Sequence, residues 1–387
     1  MTPAARVEAA IALLDEIIDA AVGGGAAADT IIQRYFKTRR YAGSGDRRAI
    51  RELVYRVIRA LGERPESGRA AMLGYARGEA SDVLALFGTD SRGPAAIAED
   101  EPAAVPGVAP AWLAVKFAAE YADADSLLGA LAQRAPLDLR ANRLKTTREA
   151  VLPLVPGAVP TLHAPDGLRV DGLNVEDLPV YKDGLIEVQD EGSQLIVAAC
   201  RARSGMTVID LCAGAGGKTL ALAADMANRG RLVACDADRS RLSRLGPRAE
   251  RAGAANIETR LLDAGREEDA LGDLIGAADV VLVDAPCSGT GTWRRNPEAR
   301  WRLTPQRLLR LAALQARLAD LGVRLLKPGG RLVYAVCSLL PEEGRLQAEA
   351  LKERHPDLIP DAGGARLLRP DRDGTDGFFI AGYEKSC

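Results

Sequence analysis

Two of the six cysteines stand directly after apolar runs that are typical of buried parallel strands. Cys287 lies in the motif D-A-P-C-S-G at 284–289, after the run 280–283, and Cys337 ends the run 332–336. A thiolate is a good nucleophile, and it can add to carbon 6 of a cytosine ring. This addition turns carbon 5 into an enamine carbon that can attack the methyl group of a sulfonium donor. The two thiols therefore indicate covalent methyl-transfer chemistry on a base.

Further side chains are expected at the same site. Asp284 ends the fourth apolar run, so its carboxyl group is a candidate for stabilising the adduct near ring nitrogen 3. Lys218 follows a glycine-rich loop and is expected to point toward the same crevice. The other cysteines are interpreted as core or terminal residues, because small apolar packing is the usual role of a cysteine. These are Cys200, Cys212, Cys235 and Cys387.

The glycine-rich loop has the sequence C-A-G-A-G-G-K-T at 212–219 and follows a strand-like run at 207–211. Its ending resembles a phosphate-binding P-loop, but that motif needs a glycine where Cys212 stands. A dinucleotide-binding fingerprint needs Gly or Ala where Thr219 stands, so this match is also imperfect. Glycines nevertheless allow a close approach of the backbone to the charged end of a ligand.

Two acidic residues follow the loop at the ends of the next two predicted strands. Asp236 ends the second strand, where an acid can accept hydrogen bonds from a ribose diol. Asp263 ends the third strand, in a position to meet an adenine amino group. This set suits a nucleoside cofactor without a pyrophosphate, and we expect S-adenosylmethionine. The alternative is a tight strand-to-helix turn with unrelated surface acids.

These residues need a framework that brings the strand ends together. From residue 191 onward, apolar strands alternate with helices, which predicts an α/β, Rossmann-like domain over 191–387 with a parallel, doubly wound sheet. Such sheets bind ligands at the carboxyl ends of their strands. The predicted strands lie at 207–211, 231–236, 257–263, 280–284 and 332–337, and a helix over 304–326 is expected to stop at Pro328-Gly329-Gly330.

Two further domains are predicted before this one. Residues 135–190 combine short strands with a helix capped by Thr147, which indicates a small α+β domain. Residues 1–134 have apolar residues three to four positions apart and are predicted to form an all-α domain with a linker at 89–110.

Charge is distributed unevenly along the chain. The net charge is −2, yet residues 31–60 contain nine basic and two acidic residues, a local net charge of +7. Phosphate binding needs such clusters because each contact releases condensed counterions. The helical domain is therefore expected to bind nucleic acid, although a solvated helix face would show the same pattern. Near the active site, Trp293 and Trp301 could stack on bases or pack in a core. The arginines around them are expected to assist binding: Arg294, Arg295, Arg300 and Arg302.

Together, these segments make the chain similar to the Nop/Sun-type RNA cytosine-5 methyltransferases. The resemblance covers roughly 136–387, and the helical N-terminal region resembles the antitermination-factor-like RNA-binding domain of some members. Two departures from the family pattern are Ala215, where a proline is common, and Val336, where a threonine is usual. The motifs that carry the resemblance are D-E-G-S-Q at 190–194, the glycine loop, 236–241, 284–289, R-R-N-P at 294–297, the Cys337 strand, L-P-E-E at 340–343 and D-G-F-F at 376–379.

The resemblance implies a role for each site residue. Cys337 corresponds to the nucleophile of the family, and Cys287 to the cysteine that assists release of the methylated base. Asp284 and Lys218 correspond to residues that contact the target cytosine. The implied partner is RNA, with ribosomal RNA expected. The implied S-adenosylmethionine-binding residues are Cys212, Ala213, Gly214, Ala215, Gly216, Gly217, Lys218, Asp236, Arg241, Asp263 and Asp284.

Three other interpretations compete with this one. In a DNA cytosine-5 methyltransferase, the cysteine of the Pro-Cys pair, here Cys287, would be the nucleophile. A zinc nucleobase deaminase needs P-C-x-x-C, and Thr290 occupies the last position of that motif. An inactive RNA-binding factor for ribosome assembly has no need of an intact Cys337, and the presence of every reacting group argues against it.

Composition narrows the class of protein further. With 47% hydrophobic and 27% charged residues, the chain is expected to be an ordinary soluble protein. No apolar run of about 18 residues predicts a membrane span, and the N-terminus predicts an amphipathic helix and not a signal peptide, so a cytoplasmic location is expected. No C-x-x-C pair occurs, and His163 and His355 lie outside any motif, so no metal site is expected. A monomer is favoured.

Overall fold

A computed structural model describes every residue from Met1 to Cys387, and the chain forms two compact units. The first, called the helical unit, comprises Met1–Arg134 and Thr292–Pro305. The second, called the α/β unit, comprises Ala135–Gly291 and Gln306–Cys387. The sequence had assigned the whole of 191–387 to one domain, whereas the structure places Thr292–Pro305 in the helical unit.

The helical unit is built from amphipathic helices around one apolar core. Thr2 caps the first helix by accepting a hydrogen bond from the Ala5 backbone N–H, and Gly24 ends it with a left-handed φ of 70°. Leu13 and Ile17 on this helix are fully buried. The predicted single helix at 110–133 is two helices in the structure. The helices are α1 Pro3–Gly23, α2 Ala28–Thr38, α3 Ser44–Ala60, α4 Gly68–Glu79, α5 Ser81–Leu84, α6 Ala111–Glu120 and α7 Ala124–Ala132.

The inserted segment Thr292–Pro305 completes this core. The Trp301 side chain is 2% exposed and belongs to the same apolar cluster as α1, and its indole Nε1 donates to Leu61 O at 3.2 Å. The Glu298 carboxylate accepts a hydrogen bond from Ala28 N at 3.0 Å, at the start of α2. A segment that follows an active-site motif in the sequence is therefore a structural part of the helical unit.

The α/β unit begins with a small four-stranded antiparallel sheet in the order β2-β3-β1-β4. Thr147 caps the short helix in this region, as its position predicts, by accepting a hydrogen bond from Ala150 N at 3.3 Å. The elements are β1 Leu137–Ala141, α8 Arg148–Val151, β2 Val159–Pro160, β3 Gly167–Val170, α9 Pro179–Lys182 and β4 Ile186–Val188.

The main sheet of the unit has the order β10-β12-β9-β8-β5-β6-β7, and β5 to β9 are parallel, as the apolar runs predict. Helices cover both of its faces, which gives the predicted Rossmann-like α/β architecture. Its elements are α10 Glu191–Cys200, β5 Thr207–Asp210, α11 Gly217–Asp225, β6 Arg231–Asp236, α12 Arg239–Leu242, α13 Leu245–Ala252, β7 Ile257–Leu261, α14 Glu267–Leu271, β8 Ala278–Asp284, α15 Pro305–Leu325, β9 Leu326–Val336, α16 Arg345–Arg354, β10 Leu358–Pro360, β11 Arg366–Leu368 and β12 Phe378–Lys385.

Two features of this sheet differ from the sequence prediction. The sheet is mixed and not purely parallel, because β12 pairs antiparallel with β9 and carries β10 and β11 at the edge. The Pro328-Gly329-Gly330 turn does end α15, but it lies inside the longer strand β9, where the register with β8 shifts between Ala278 and Val280. The left-handed φ of 71° at Gly329 accommodates this irregularity.

None of the helices combines the length and the apolar character that crossing a bilayer would require.

Candidate active site

The site is assembled where β5, β6, β8 and β9 end at one edge of the main sheet. The loop after β5 carries Lys218, β8 ends at Asp284, and Cys287 and Cys337 follow β8 and β9. All four predicted catalytic residues are in this region of the α/β unit. Because β8 and β9 are hydrogen-bonded neighbours, the two cysteines come together although 50 positions separate them in the sequence.

The two thiols are in direct contact. Cys287 Sγ and Cys337 Sγ are 3.2 Å apart, and both side chains are half-buried. The hydrogen bond between the sulfur atoms, together with burial, raises the pKa of the Cys287 thiol well above its usual value. Cys287 is thereby favoured as the protonated member of the pair, which leaves Cys337 as the sulfur that can attack as a thiolate.

A lysine–aspartate pair lies beside the thiols. Lys218 Nζ is 2.6 Å from Asp284 Oδ2, and the two side chains are 15% and 24% exposed. Burial alone would lower the pKa of Lys218, but attraction by Asp284 and its hydrogen bond raise that pKa above its usual value. The site therefore keeps a fixed positive charge that is anchored by a carboxylate.

The glycine loop lines a cleft of about 180 Å³ with Ser193, Asp210, Arg241 and Asp284. Gly214 and Gly216 have left-handed φ values of 55° and 86°, which other residues rarely adopt. A Cβ on Gly214 would lie 2.5 Å from the Arg241 guanidinium group, and the loop therefore needs glycine at that position. The loop leads into the N-terminus of α11, where free backbone N–H groups favour an anionic group.

The structure gives Asp236 a role in shaping this loop. Its carboxylate is 7% exposed, and it accepts hydrogen bonds from Gly214 N and Asp238 N, both at 2.7 Å. Arg241 Nη1 lies 4.0 Å from the same carboxylate. Asp263, which the sequence placed at the end of a strand, is exposed and lies two residues beyond the end of β7 at Leu261. The proposed contacts of Asp236 and Asp263 with a cofactor stay predictions.

One acid in the cleft was missed by the sequence reasoning. Asp210 ends β5 and is fully buried, and its Oδ2 accepts a hydrogen bond from Thr219 Oγ1 at 2.7 Å, whereas its Oδ1 has no partner. Burial, together with repulsion from Asp284, raises the pKa of Asp210 to about 6. The signal in the sequence was an acid closing an apolar run directly before the glycine loop.

Two of the arginines expected to bind RNA have structural roles instead. Arg300 is 1% exposed, and its Nε donates to Pro297 O at 2.8 Å. Arg302 Nη1 donates to Gly25 O at 2.8 Å. Trp293 and Trp301 are 1% and 2% exposed, so both pack in the helical unit and neither is available to stack on a base.

The cleft fits S-adenosylmethionine by its chemistry. Asp210 and Asp284 supply negative charge for a ligand that carries a sulfonium and an ammonium group, and the unpartnered Asp210 Oδ1 marks a buried acceptor beside that cleft. The glycine loop and the N-terminus of α11 suit the carboxylate of the same ligand. No group of three or more His, Cys, Asp or Glu side chains is arranged to hold a metal ion.

Comparison with known proteins shows the family. A family model for "16S rRNA methyltransferase RsmB/F" matches residues 197–384. Ribosomal RNA small subunit methyltransferase B of Sodalis glossinidius is 35% identical over 335 residues, which cover 83% of this chain and 76% of that protein. The probable ribosomal RNA small subunit methyltransferase B of Synechocystis is 33% identical over 301 residues, which cover 72% of this chain and 67% of that protein.

A solved structure supports the same conclusion. The crystal structure of a methyltransferase homologue from Pyrococcus horikoshii is 29% identical, with a TM-score of 0.60 over 68% of this chain and 90% of that chain. The predicted fold class and the predicted resemblance are thus confirmed. This chain belongs to the 16S rRNA methyltransferase RsmB/F family.

Proposed function

We propose that this chain transfers a methyl group from S-adenosylmethionine to carbon 5 of a cytosine in RNA, with ribosomal RNA as the substrate. The observation that carries the proposal is the pair of thiols 3.2 Å apart, beside the Lys218–Asp284 pair. One thiol would suffice for nucleophilic attack. A second thiol in contact with it suits a reaction in which a covalent adduct must also be released.

In the first step, Cys337 Sγ adds as a thiolate to carbon 6 of the cytosine. This addition places negative charge on the ring, and the Lys218 ammonium group, held by Asp284, is available to stabilise that charge. Carbon 5 becomes nucleophilic as a result. S-adenosylmethionine, when bound, supplies the methyl group that carbon 5 receives.

In the second step, the ring must regain its double bond. Carbon 5 loses its proton, the bond between carbon 6 and sulfur breaks, and Cys337 leaves with the electron pair as a thiolate. Cys287 supports this step as a thiol in contact with Cys337, because it can give its proton to the departing sulfur and take up the proton from carbon 5. The two cysteines therefore have different roles in one reaction.

The residues proposed to hold the cofactor are those of the glycine loop, with Asp236, Arg241 and Asp263 as predicted from the sequence and Asp210 as an addition from the structure. Asp236 is held by backbone N–H groups, which keep its carboxylate in one orientation beside the loop. The buried carboxyl group of Asp210 adds negative charge to the end of the cleft near Lys218.

RNA is favoured over DNA as the substrate because the relatives are named as ribosomal RNA methyltransferases. The thiol contact itself is symmetric and does not distinguish the two substrates. The proposed substrate also implies that the chain acts where ribosomes are assembled, in the cytoplasm.

The test is a methylation assay with isotope-labelled S-adenosylmethionine and the purified full-length chain. Unmodified small-subunit ribosomal RNA should be labelled, as naked RNA or as a subunit particle, and sequencing after bisulfite treatment should locate the label at carbon 5 of a cytosine. A DNA oligonucleotide of the same sequence should stay unlabelled. Labelling of DNA alone, or of neither form of RNA, would contradict the proposal.

A further inference from the structure

Each active-site cysteine is followed by a serine that lies on the buried side of its loop. Cys287 and Cys337 are half-buried at the cleft, whereas Ser288 and Ser338 are only 9% and 1% exposed. The two serine hydroxyl groups lie 3.1 Å from each other. The two loops therefore present their thiols on one side and their hydroxyl groups on the other.

One carboxylate joins the two serines. Glu343 is fully buried, and its Oε2 accepts hydrogen bonds from Ser338 Oγ at 2.5 Å and from Ser288 Oγ. Its Oε1 accepts from Ser288 N at 2.8 Å and from Gln315 Nε2 at 2.9 Å. Four donors, from three elements of the chain, thus converge on one side chain.

The partners of Glu343 are themselves fixed. Gln315 Nε2 also donates to Pro286 O at 2.9 Å, one residue before Cys287. The Tyr334 hydroxyl group donates to Glu343 O at 2.6 Å and holds the backbone of the glutamate against β9. Glu343 has no ion-pair partner, so its burial depends on these hydrogen bonds alone, and burying a charge in this way is costly.

We propose that Glu343 is a positioning residue that holds Cys287 and Cys337 in contact by accepting hydrogen bonds from the serine after each of them. A hydrophobic side chain could fill the same space, but it would not fix the separation of two loops by directed bonds to both. The proposal rests on the proposed function only for its effect on catalysis. The effect of Glu343 on the distance between the thiols is independent of the substrate.

The first test measures that distance by chemistry. Full-length protein is treated with diamide, which takes two electrons and two protons from a thiol pair to form a disulfide, and the Cys287–Cys337 crosslink is quantified by peptide mass spectrometry. Glu343→Ala should slow crosslinking about 10-fold or more, because misplacement by about an ångström has effects of this size or larger. Alkylation of each thiol by iodoacetamide should continue.

Two other variants keep this test decisive if Glu343→Ala fails to fold. In Glu343→Gln, the amide group can still donate to the two serine hydroxyl groups, which can rotate to accept. This variant should crosslink faster than Glu343→Ala. The double variant Ser288→Ala with Ser338→Ala removes both hydroxyl donors and should behave like Glu343→Ala. Glu353→Gln, on the exposed end of α16, is the matched control and should equal the wild type.

The second test measures turnover. Glu343→Ala and the double serine variant should lower kcat by about 100-fold with little change in KM for RNA, in S-adenosylmethionine affinity or in melting temperature. Crosslinking at the wild-type rate in folded Glu343→Ala would overturn the positioning role. Slowed crosslinking in these variants, with no methylation even by the wild type, would support the positioning role and contradict the proposed function instead.

Discussion

At the scale of single residues, the reacting groups could be predicted and their contacts could not. Residue type and position at strand ends singled out Cys287, Cys337 and Asp284, because the carboxyl ends of parallel strands meet at one edge. The 3.2 Å contact of the thiols and the 2.6 Å contact of Lys218 with Asp284 depend on strand order and loop conformation. The catalytic and cofactor-binding roles of these residues stay predictions.

Buried polar partners were the least predictable part of the site. Asp210 reads as the end of an apolar run, and Glu343 was noted only as part of a family motif. Neither pattern shows that four donors surround Glu343 or that one oxygen of Asp210 has no partner. Such networks are made by residues far apart in the sequence, and no local pattern encodes them.

The buried Asp210 should make stability depend on pH. Its pKa is about 6 in the folded protein and about 4 in an unfolded chain, so the folded state binds more protons between these values. The stability that this protonation contributes is present at low pH and is lost as pH rises through 6. Asp210→Asn is neutral at every pH and should lack this loss.

The expected difference follows from these pKa values. Between pH 5 and pH 8, the free energy of unfolding of the wild type should fall by roughly 1.4 kcal/mol more than that of Asp210→Asn. Urea denaturation of both proteins at the two pH values provides the measurement. Parallel pH dependence of the two proteins would show that Asp210 is ionised at pH 5 in the folded state.

At the scale of elements, local patterns succeeded where pairing is sequential and failed where it is not. The parallel strands β5 to β9 follow the predicted apolar runs. The antiparallel strand β12 was missed because it pairs with β9, more than 40 residues earlier, through Phe379 with Val336 and its neighbours. The D-G-F-F motif was recognised without this pairing, since a motif does not state its partner.

The segment Thr292–Pro305 shows the same limit. Its tryptophans and arginines have the composition of an RNA-binding surface, yet Trp301 is buried in the helical unit. Trp301→Ala should destabilise that unit by about 3–5 kcal/mol, as truncation of a buried tryptophan usually does. Calorimetric unfolding of the full-length protein gives the measurement. Val115→Ala, at a residue 70% exposed, is the control and should leave the transition unchanged. An unchanged transition in Trp301→Ala as well would rule out a structural role.

At the scale of the whole molecule, charge is the property that the sequence described best. The net charge of −2 conceals the +7 of residues 31–60. In the structure, Lys37, Arg40 and Arg56 in this stretch are exposed and lie in the helical unit. They are the strongest candidates for contacts with RNA phosphates, now that Arg300 and Arg302 have structural roles.

Neutralising these three cations to Gln should weaken RNA binding and make it less sensitive to salt. The slope of log affinity against log salt concentration should become shallower by about 2–3, because each lost phosphate contact releases fewer counterions. Fluorescence anisotropy with labelled RNA at several salt concentrations gives both values. The matched control neutralises three exposed cations of the α/β unit, Arg203, Arg229 and Lys352. Equal slopes in both triple variants would remove the helical unit as the RNA-binding surface.

The central claim is that Cys337 attacks and Cys287 assists release, and trapping of the covalent adduct tests it most directly. Full-length wild type, Cys287→Ala and Cys337→Ala are incubated with substrate RNA and S-adenosylmethionine and separated by denaturing gel electrophoresis. Cys287→Ala should accumulate a denaturant-stable protein–RNA complex, because addition proceeds while elimination is slowed. Cys337→Ala should form no complex and no methylated RNA. A complex that appears with Cys337→Ala and is absent with Cys287→Ala would contradict the account and make Cys287 the nucleophile.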